Sequence, residues 1–313
     1  MTETKSTPRP ALITGDIGDG SLSRMSARLR KSWHNLFELW RDELIAATIT
    51  KQSRGDNEMI RETTRTWICP SGNSWKICND ILKQTHIVIG GTTGSGKSTL
   101  LHSIMWSALI HSPAKVQFIL IDLKGVELRR YRTLPHTISY ADEPEDAVRA
   151  IKTAEEIMRH RLNELKRTDS VMYNGNDIYL IIDELAVLMQ TAKAKVLEPL
   201  SNIMRLGRAT KVHVIGATQN PSRSRGGGLP AEIVQNATAA IALRCRSAIE
   251  SRQIIGIAGA EKLPLHGHGL YWRAEGTSDE IMPMTSDDDL MQRINYWKQQ
   301  TPKTERKLKW FGN

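Results

Sequence analysis

The sequence is poor in cysteine, in phenylalanine and in long apolar runs, and each shortage closes off a class of protein. Three cysteines among 313 residues, Cys69, Cys78 and Cys245, cannot build a disulfide framework or a four-ligand cysteine zinc site. Cys69 and Cys78 stand near enough in sequence to meet across a hairpin, and they are read here as a reduced pair in a cytoplasmic chain. No run of eighteen uninterrupted apolar residues occurs, so no stretch reads as a membrane-spanning helix. The opening residues, MTETKSTPRP, lack the apolar core of a secretory signal. What remains is a chain of ordinary globular composition, 40% apolar and 25% charged, able to bury a sizeable core.

Charge of one sign is in excess. Lys and Arg number 43 against 34 Asp and Glu, a formal balance of +9 that favours a polyanionic partner. The excess is unevenly placed. Residues 1–20 are polar and read as a disordered leader. A region at 21–65 follows, in which Leu22, Met25, Leu29, Trp33, Leu36, Trp40 and Leu44 draw one apolar stripe along a helix, with Arg24, Arg28, Arg30 and Lys31 in its first half. That helix suits either packing on its own domain or a neighbouring subunit, or the surface of a membrane. Thr66–Cys69 and Trp75–Cys78 flank Pro70-Ser-Gly-Asn-Ser74 and predict a β-hairpin at the entrance to the main domain. Between 86 and 257, apolar runs of strand length alternate with helical periods, which predicts an α/β fold on a mainly parallel sheet. The expected strands are 86–90, 116–122, 178–183, 212–218 and 238–244, and the expected helices 97–111, 145–167, 196–208 and 248–257. Residues 66–289 thus form the main domain, and 290–313 read as a basic tail.

The chemistry concentrates where these strands end. His86-Ile-Val-Ile-Gly90 runs into Gly91-Thr-Thr-Gly-Ser-Gly-Lys-Ser98 and then a helix, the full GxxxxGK[ST] phosphate loop in its proper strand-to-helix context. Glycines let the backbone curl until successive N–H groups point at one phosphate. Gly91, Thr92, Thr93, Gly94, Ser95, Gly96, Lys97, Ser98 and Thr99 are therefore the expected ATP contacts. Lys97 would reach the β- and γ-phosphates, and Ser98 would ligate Mg²⁺. Two later strands end in carboxylates, Ile119-Leu-Ile-Asp122 and Tyr179-Leu-Ile-Ile-Asp183-Glu184. Only the second supplies two adjacent ones, Asp183 for the Mg²⁺ shell and Glu184 for the attacking water, which leaves Asp122 to structure or nucleotide coupling. Gln219, at the end of the strand 212–218, is placed to sense the γ-phosphate or the water.

These residues resemble the FtsK/SpoIIIE family of ring-forming duplex-DNA translocases. The likeness is carried by the phosphate loop, Leu120-Ile-Asp-Leu-Lys-Gly-Val-Glu-Leu128, Ile182-Asp-Glu-Leu-Ala186, Gly207-Arg-Ala-Thr-Lys-Val-His213, Ala217-Thr-Gln-Asn-Pro-Ser222, Glu250-Ser-Arg-Gln-Ile254 and Ala258-Gly-Ala-Glu261, in family order. The resemblance implies a RecA-like motor domain, assembled as a homo-hexamer around double-stranded DNA with ATP between subunits. It puts an arginine finger at Arg208, a further nucleotide or interface arginine at Arg252, and DNA contacts at Arg223, Arg225, Arg244 and Arg246. Large family members add membrane-spanning and winged-helix regions that this sequence does not show. It therefore looks like the short translocases of conjugative plasmids and integrated elements, with the 22–44 helix the candidate tether to the inner face of the cell membrane and a membrane-associated transfer partner expected there. A chromosome-segregation pump, a protein-secretion ATPase and an ATP-gated replication accessory protein are the competing readings.

Overall fold

Residues 72–221 and 228–300 are described by a computed structural model. The leader, the 21–65 region with its apolar stripe, Cys69, Arg223, Arg225 and the basic residues after 300 lie outside the described residues.

The strands are β1 (His86–Gly90), β2 (Val116–Ile121), β3 (Thr137–Ala141), β4 (Asp177–Ile182), β5 (Val212–Thr218), β6 (Ala239–Leu243), β7 (His268–Arg273) and β8 (Gly276–Ile281). They form one eight-stranded sheet in the order β3-β2-β4-β5-β1-β6-β7-β8. All pairings from β3 across to β6 are parallel, and β7 and β8 add an antiparallel hairpin at the far edge. The central strands are buried along their whole length, which is why HIVIG and VHVIGAT read as continuous apolar runs rather than alternating ones.

Helices cover both faces. Interleaved with the strands are α1 (Gly72–Lys83), α2 (Lys97–Ala108), α3 (Pro144–Thr168), α4 (Leu185–Thr210), α5 (Ala231–Asn236), α6 (Ala248–Ile255) and α7 (Asp287–Gln300). One core lies under α3 and α4 and contains Ile151, Met158, Leu188, Val196 and Ile203. The other lies under α1, α2 and α7 and contains Ile81, Leu101, Met105, Phe118 and Ile294. Among the described residues, no helix is long and apolar enough to cross a membrane.

Three expectations are corrected. The second arm of the expected hairpin, Trp75–Cys78, belongs to helix α1. Ile77, Cys78 and Ile81 recur at helical spacing and are buried together, a face that a strand of period two would split. The basic tail expected from residue 290 is helical as far as Gln300, because Leu290, Arg293 and Ile294 are needed to cover α2. Helix α4 also begins eleven residues before the expected 196, directly after Glu184.

Candidate nucleotide-binding active site

Parallel pairing puts the carboxyl ends of β2, β4, β5, β1 and β6 on one edge of the sheet. The residue that follows each strand is, in that spatial order, Asp122, Asp183, Gln219, Gly91 and Arg244. Four of them are site residues expected from the sequence, Asp122 being expected in structure or nucleotide coupling, and the sheet brings all five into one row. The crevice beyond such an edge is where open α/β sheets hold ligands.

The phosphate loop leaves β1 anchored on both sides. Gly91 N–H donates to the Thr218 carbonyl on β5 at 3.2 Å, and Thr92 N–H donates to the Arg244 carbonyl beyond β6 at 2.9 Å. A Cβ on Gly91 would lie 2.7 Å from that of Leu243, so no larger residue fits there. Gly96 turns the chain into α2 at φ +96°, in the left-handed region that other residues adopt only with strain. Helix α2 has no side-chain cap at this end and no acidic residue in its first turn. Its first N–H groups therefore point into the crevice with the positive end of the helix dipole, which suits an anion. Ser95 Oγ is buried there without a hydrogen-bond partner among the described residues. A phosphate oxygen would satisfy all of these donors.

Lys97 is 3% exposed and donates to Asp183 twice, to Oδ1 at 2.5 Å and to the backbone carbonyl at 2.9 Å. Ser98 Oγ donates to Glu127 Oε1 at 2.7 Å. The hydroxyl of Ser98 and the carboxylate of Asp183 are hard oxygen donors of the kind Mg²⁺ takes alongside substrate phosphates. Among the described residues, no group of three or more His, Cys, Asp or Glu side chains is placed to hold a metal without such help.

Glu184, next after Asp183, is bonded through both of its carboxylate oxygens. Its Oε1 accepts from Thr218 Oγ at 2.7 Å and from the Gln219 backbone N–H at 3.0 Å. Its Oε2 accepts from the same N–H at 3.1 Å and from Lys124 Nζ at 3.1 Å. Gln219 in turn accepts from Thr93 Oγ through its side-chain oxygen at 3.1 Å. Because β5 stands between β1 and β4, its terminal glutamine physically joins the phosphate loop to the acidic pair.

Asp122 is fully buried and its Oδ2 accepts from Leu128 N–H at 2.8 Å, which pins the turn after β2. Lys124 and Glu127 rise from that turn onto Glu184 and Ser98. Both lie in the motif Leu120–Leu128, which gives neither a role, and nothing in the sequence singles out Thr218 or His102. Glu127 Oε2 also meets His102 Nε2 at 3.2 Å, whose Nδ1 lies 2.8 Å from the Tyr131 hydroxyl. Burial first, and then the Arg130 guanidinium, hold the His102 imidazole below its ordinary value. A neutral ring donating from Nε2 and accepting at Nδ1 fits both contacts.

The remaining arginines separate. Arg244 is half-buried and its guanidinium donates to the Leu263 carbonyl at 2.5 Å, so this side chain braces the wall beside the phosphate loop. Arg246 is exposed. Arg252 is exposed on α6, the helix whose Ile254 packs on Gly90 so closely that a Cβ there would meet it at 2.2 Å. Arg208 is exposed in the last turn of α4, 24 residues beyond Glu184. At 1.5 Å per residue the two lie roughly 36 Å apart, out of reach of one nucleotide.

With the geometry in hand, comparison with known proteins is direct. Residues 69–176, which span the phosphate loop and the turn after β2, match the model of the FtsK/SpoIIIE family. The chain carries an FtsK/SpoIIIE domain. Over 234 residues it is 32% identical to the DNA translocase FtsK of Staphylococcus epidermidis, covering 67% of this chain and 29% of that protein. Over 253 residues it is 34% identical to the DNA translocase SftA of Bacillus subtilis, covering 75% and 26%. The chain thus spans under a third of the length of these curated relatives. Among solved structures, the pCW3 conjugation coupling protein TcpA with ATPγS superposes with a TM-score of 0.62 at 26% identity, over 71% of this chain and 66% of that one. ATPases 2 and 3 of EssC from Geobacillus thermodenitrificans superpose with a TM-score of 0.59 at 19% identity, over 70% and 44%, which is a likeness of fold. The FtsK/SpoIIIE domain accounts for the arrangement as a P-loop ATPase fold, with the acidic pair one strand removed from the phosphate loop.

Proposed function

We propose that this chain is an ATP-hydrolysing double-stranded DNA translocase that acts as a homo-hexameric ring in the transfer of plasmid or mobile-element DNA. The observation that carries the reading is the bonded row Lys97–Asp183, Glu184–Gln219 and Gln219–Thr93, which links phosphate loop, acidic pair and the strand end between them. Support for DNA as the partner comes from the FtsK and SftA relatives, and for transfer between cells from the likeness to TcpA.

In this reading ATP lies along the phosphate loop with its β- and γ-phosphates at Lys97 and the first turn of α2, through Thr99. Ser98 and Asp183 would hold Mg²⁺, which would supply positive charge to offset the negative charge that builds during transfer. Glu184 orients the attacking water and takes its proton, with Thr218 and the Gln219 N–H keeping the carboxylate aimed. Lys124 is the exposed partner of that carboxylate and the one free to yield. Gln219 carries the state of the γ-phosphate to Glu184 and β5. The roughly 36 Å between Glu184 and Arg208 supports a finger that serves the neighbouring subunit's site. Arg252 then lies beside that shared site, and Arg223, Arg225 and Arg246 are the DNA contacts, with Arg244 acting through the wall it braces.

The test is ATPase activity with and without duplex DNA at low and at high salt. Stimulation by duplex is expected, and it should weaken steeply with salt because phosphate contacts release counterions. Lys97→Ala and Glu184→Gln should each lower the stimulated rate by about 10²-fold or more. A wild-type rate indifferent to duplex DNA at low salt would remove the DNA-pump reading and leave the competing reading of a protein-secretion ATPase.

A further inference from the structure

Glu127 has no part in the mechanism just given, yet it touches the hydroxyl expected to bind the metal. The turn that carries it is held from below. Gly125 N–H donates to the Asp122 carbonyl at 2.9 Å, Leu128 N–H to Asp122 Oδ2 at 2.8 Å, and Asp122 is fully buried. Gly125 takes φ +66°, which lets the turn bend sharply enough to bring Glu127 over the start of α2. The carboxylate is then held from behind. Its Oε2 faces His102 Nε2 at 3.2 Å, and His102 Nδ1 meets the hydroxyl of Tyr131, itself fully buried. Only Oε1 turns to the crevice, where it accepts from Ser98 Oγ at 2.7 Å.

A serine hydroxyl has one proton and two lone pairs. A metal needs a lone pair, so the proton must point elsewhere, and at Ser98 the Glu127 carboxylate is what takes it. We propose that Glu127 is a positioning residue for the divalent cation: it fixes the Ser98 hydroxyl with its proton turned away and adds a negative charge behind the oxygen that ligates the metal. Partners of this kind fix a ligand's orientation and strengthen it as a donor, and losing one commonly weakens metal affinity by about 10- to 100-fold. The segment that supplies the metal site thereby becomes continuous with the β2 turn, so the sheet contributes to the cation from two strand ends, β4 through Asp183 and β2 through Glu127. This inference rests on the reading of the loop as a Mg²⁺–ATP site.

The experiment uses the full chain with ATPγS and Mn²⁺. Calorimetry gives ATPγS affinity with and without metal, and electron paramagnetic resonance gives Mn²⁺ affinity at saturating ATPγS. Glu127→Gln keeps size and an acceptor but removes charge, and Glu127→Ala removes both. Expected is a loss of Mn²⁺ affinity of roughly 10-fold or more in Glu127→Ala and a smaller loss in Glu127→Gln, with metal-free ATPγS affinity within about 2-fold of wild type. Unchanged Mn²⁺ affinity in Glu127→Ala overturns the proposal. So does an equal loss with and without metal, which would make Glu127 a support of the loop alone. A wild-type chain whose ATPγS binding ignores metal altogether would instead sink the Mg²⁺–ATP reading beneath it.

Discussion

His86 opens β1 with its ring sealed in the sheet, and the chemistry of that ring sets how the protein meets acid. Its Nδ1 accepts from the Val214 N–H at 3.2 Å, which only the unprotonated nitrogen can do. Burial, helped by nearby His213, pushes its pKa down to about 3. Burial likewise lowers His136 to about 4, against the pull of its bond to the His111 carbonyl. Both groups take a proton in the unfolded chain near the ordinary 6.5 and refuse it in the fold. Stability is therefore full above that value and falls as pH drops from 6.5 toward 4, by about 1.4 kcal/mol per pH unit for each ring. Urea midpoints measured across this window should decline well before the carboxylates titrate. The variant His86→Asn, whose side-chain oxygen can still accept from Val214, should show a shallower decline. An identical slope in that variant would show that His86 is not a source of the acid sensitivity.

Helices α3 and α4 are locked at one end by a single cation. Arg161 on α3 is 5% exposed and donates to the carbonyls of Asn176, Thr210 and Lys211 at 3.0, 2.9 and 3.3 Å, with Tyr173 under its guanidinium. It thus satisfies the carbonyls at the end of α4 that the helix cannot bond itself, a turn away from Arg208. Arg161→Met keeps the bulk and removes the donors. It should cost about 2–4 kcal/mol in denaturant melts and speed amide exchange in the last turn of α4 more than in β1. Uniform acceleration throughout the domain would mean that the residue holds the whole core rather than this junction.

That junction also shows what a sequence can and cannot disclose. The five inner strands were legible because strands buried on both faces are unbroken apolar runs ended by small or polar residues. β3, with TISYA on the half-exposed edge, and the β7–β8 hairpin, with histidine, glycine and charge along it, carry no such signal. The first eleven residues of α4 escape notice because Leu185–Met189 is buried almost all round, leaving no polar face to mark a helical period. The site itself was legible in its strand ends, where residue type and position suffice. Lys124 and Glu127 were not, since the contact of Lys124 with Glu184 spans sixty residues and exists only through the β2–β4 pairing. The resemblance points to Arg244 as a DNA contact, but its bond to the Leu263 carbonyl, between residues 19 apart, leaves no mark in the sequence.

At the scale of the molecule, the placement of Arg208 far from its own Glu184 has a consequence that mixing can test. In the proposed ring, Arg208→Ala and Glu184→Gln subunits are each inactive, but a pair of them makes one site with both groups intact. Mixed before assembly, the two should recover a substantial fraction of wild-type ATPase activity. If each subunit supplied its own arginine, no mixture would recover any. Helix α4 joins these two groups as one continuous piece of 26 residues, starting at the acidic pair and finishing at the finger. A rod of that length is a lever. A tilt of about 5° at the end that answers to the subunit's own phosphate would sweep the far end by roughly 3 Å, the difference between an arginine in hydrogen-bond contact and one out of it. Firing order around a ring would then need no messenger between sites beyond the stiffness of this helix, and its one internal proline, Pro199, stands where that stiffness would be set.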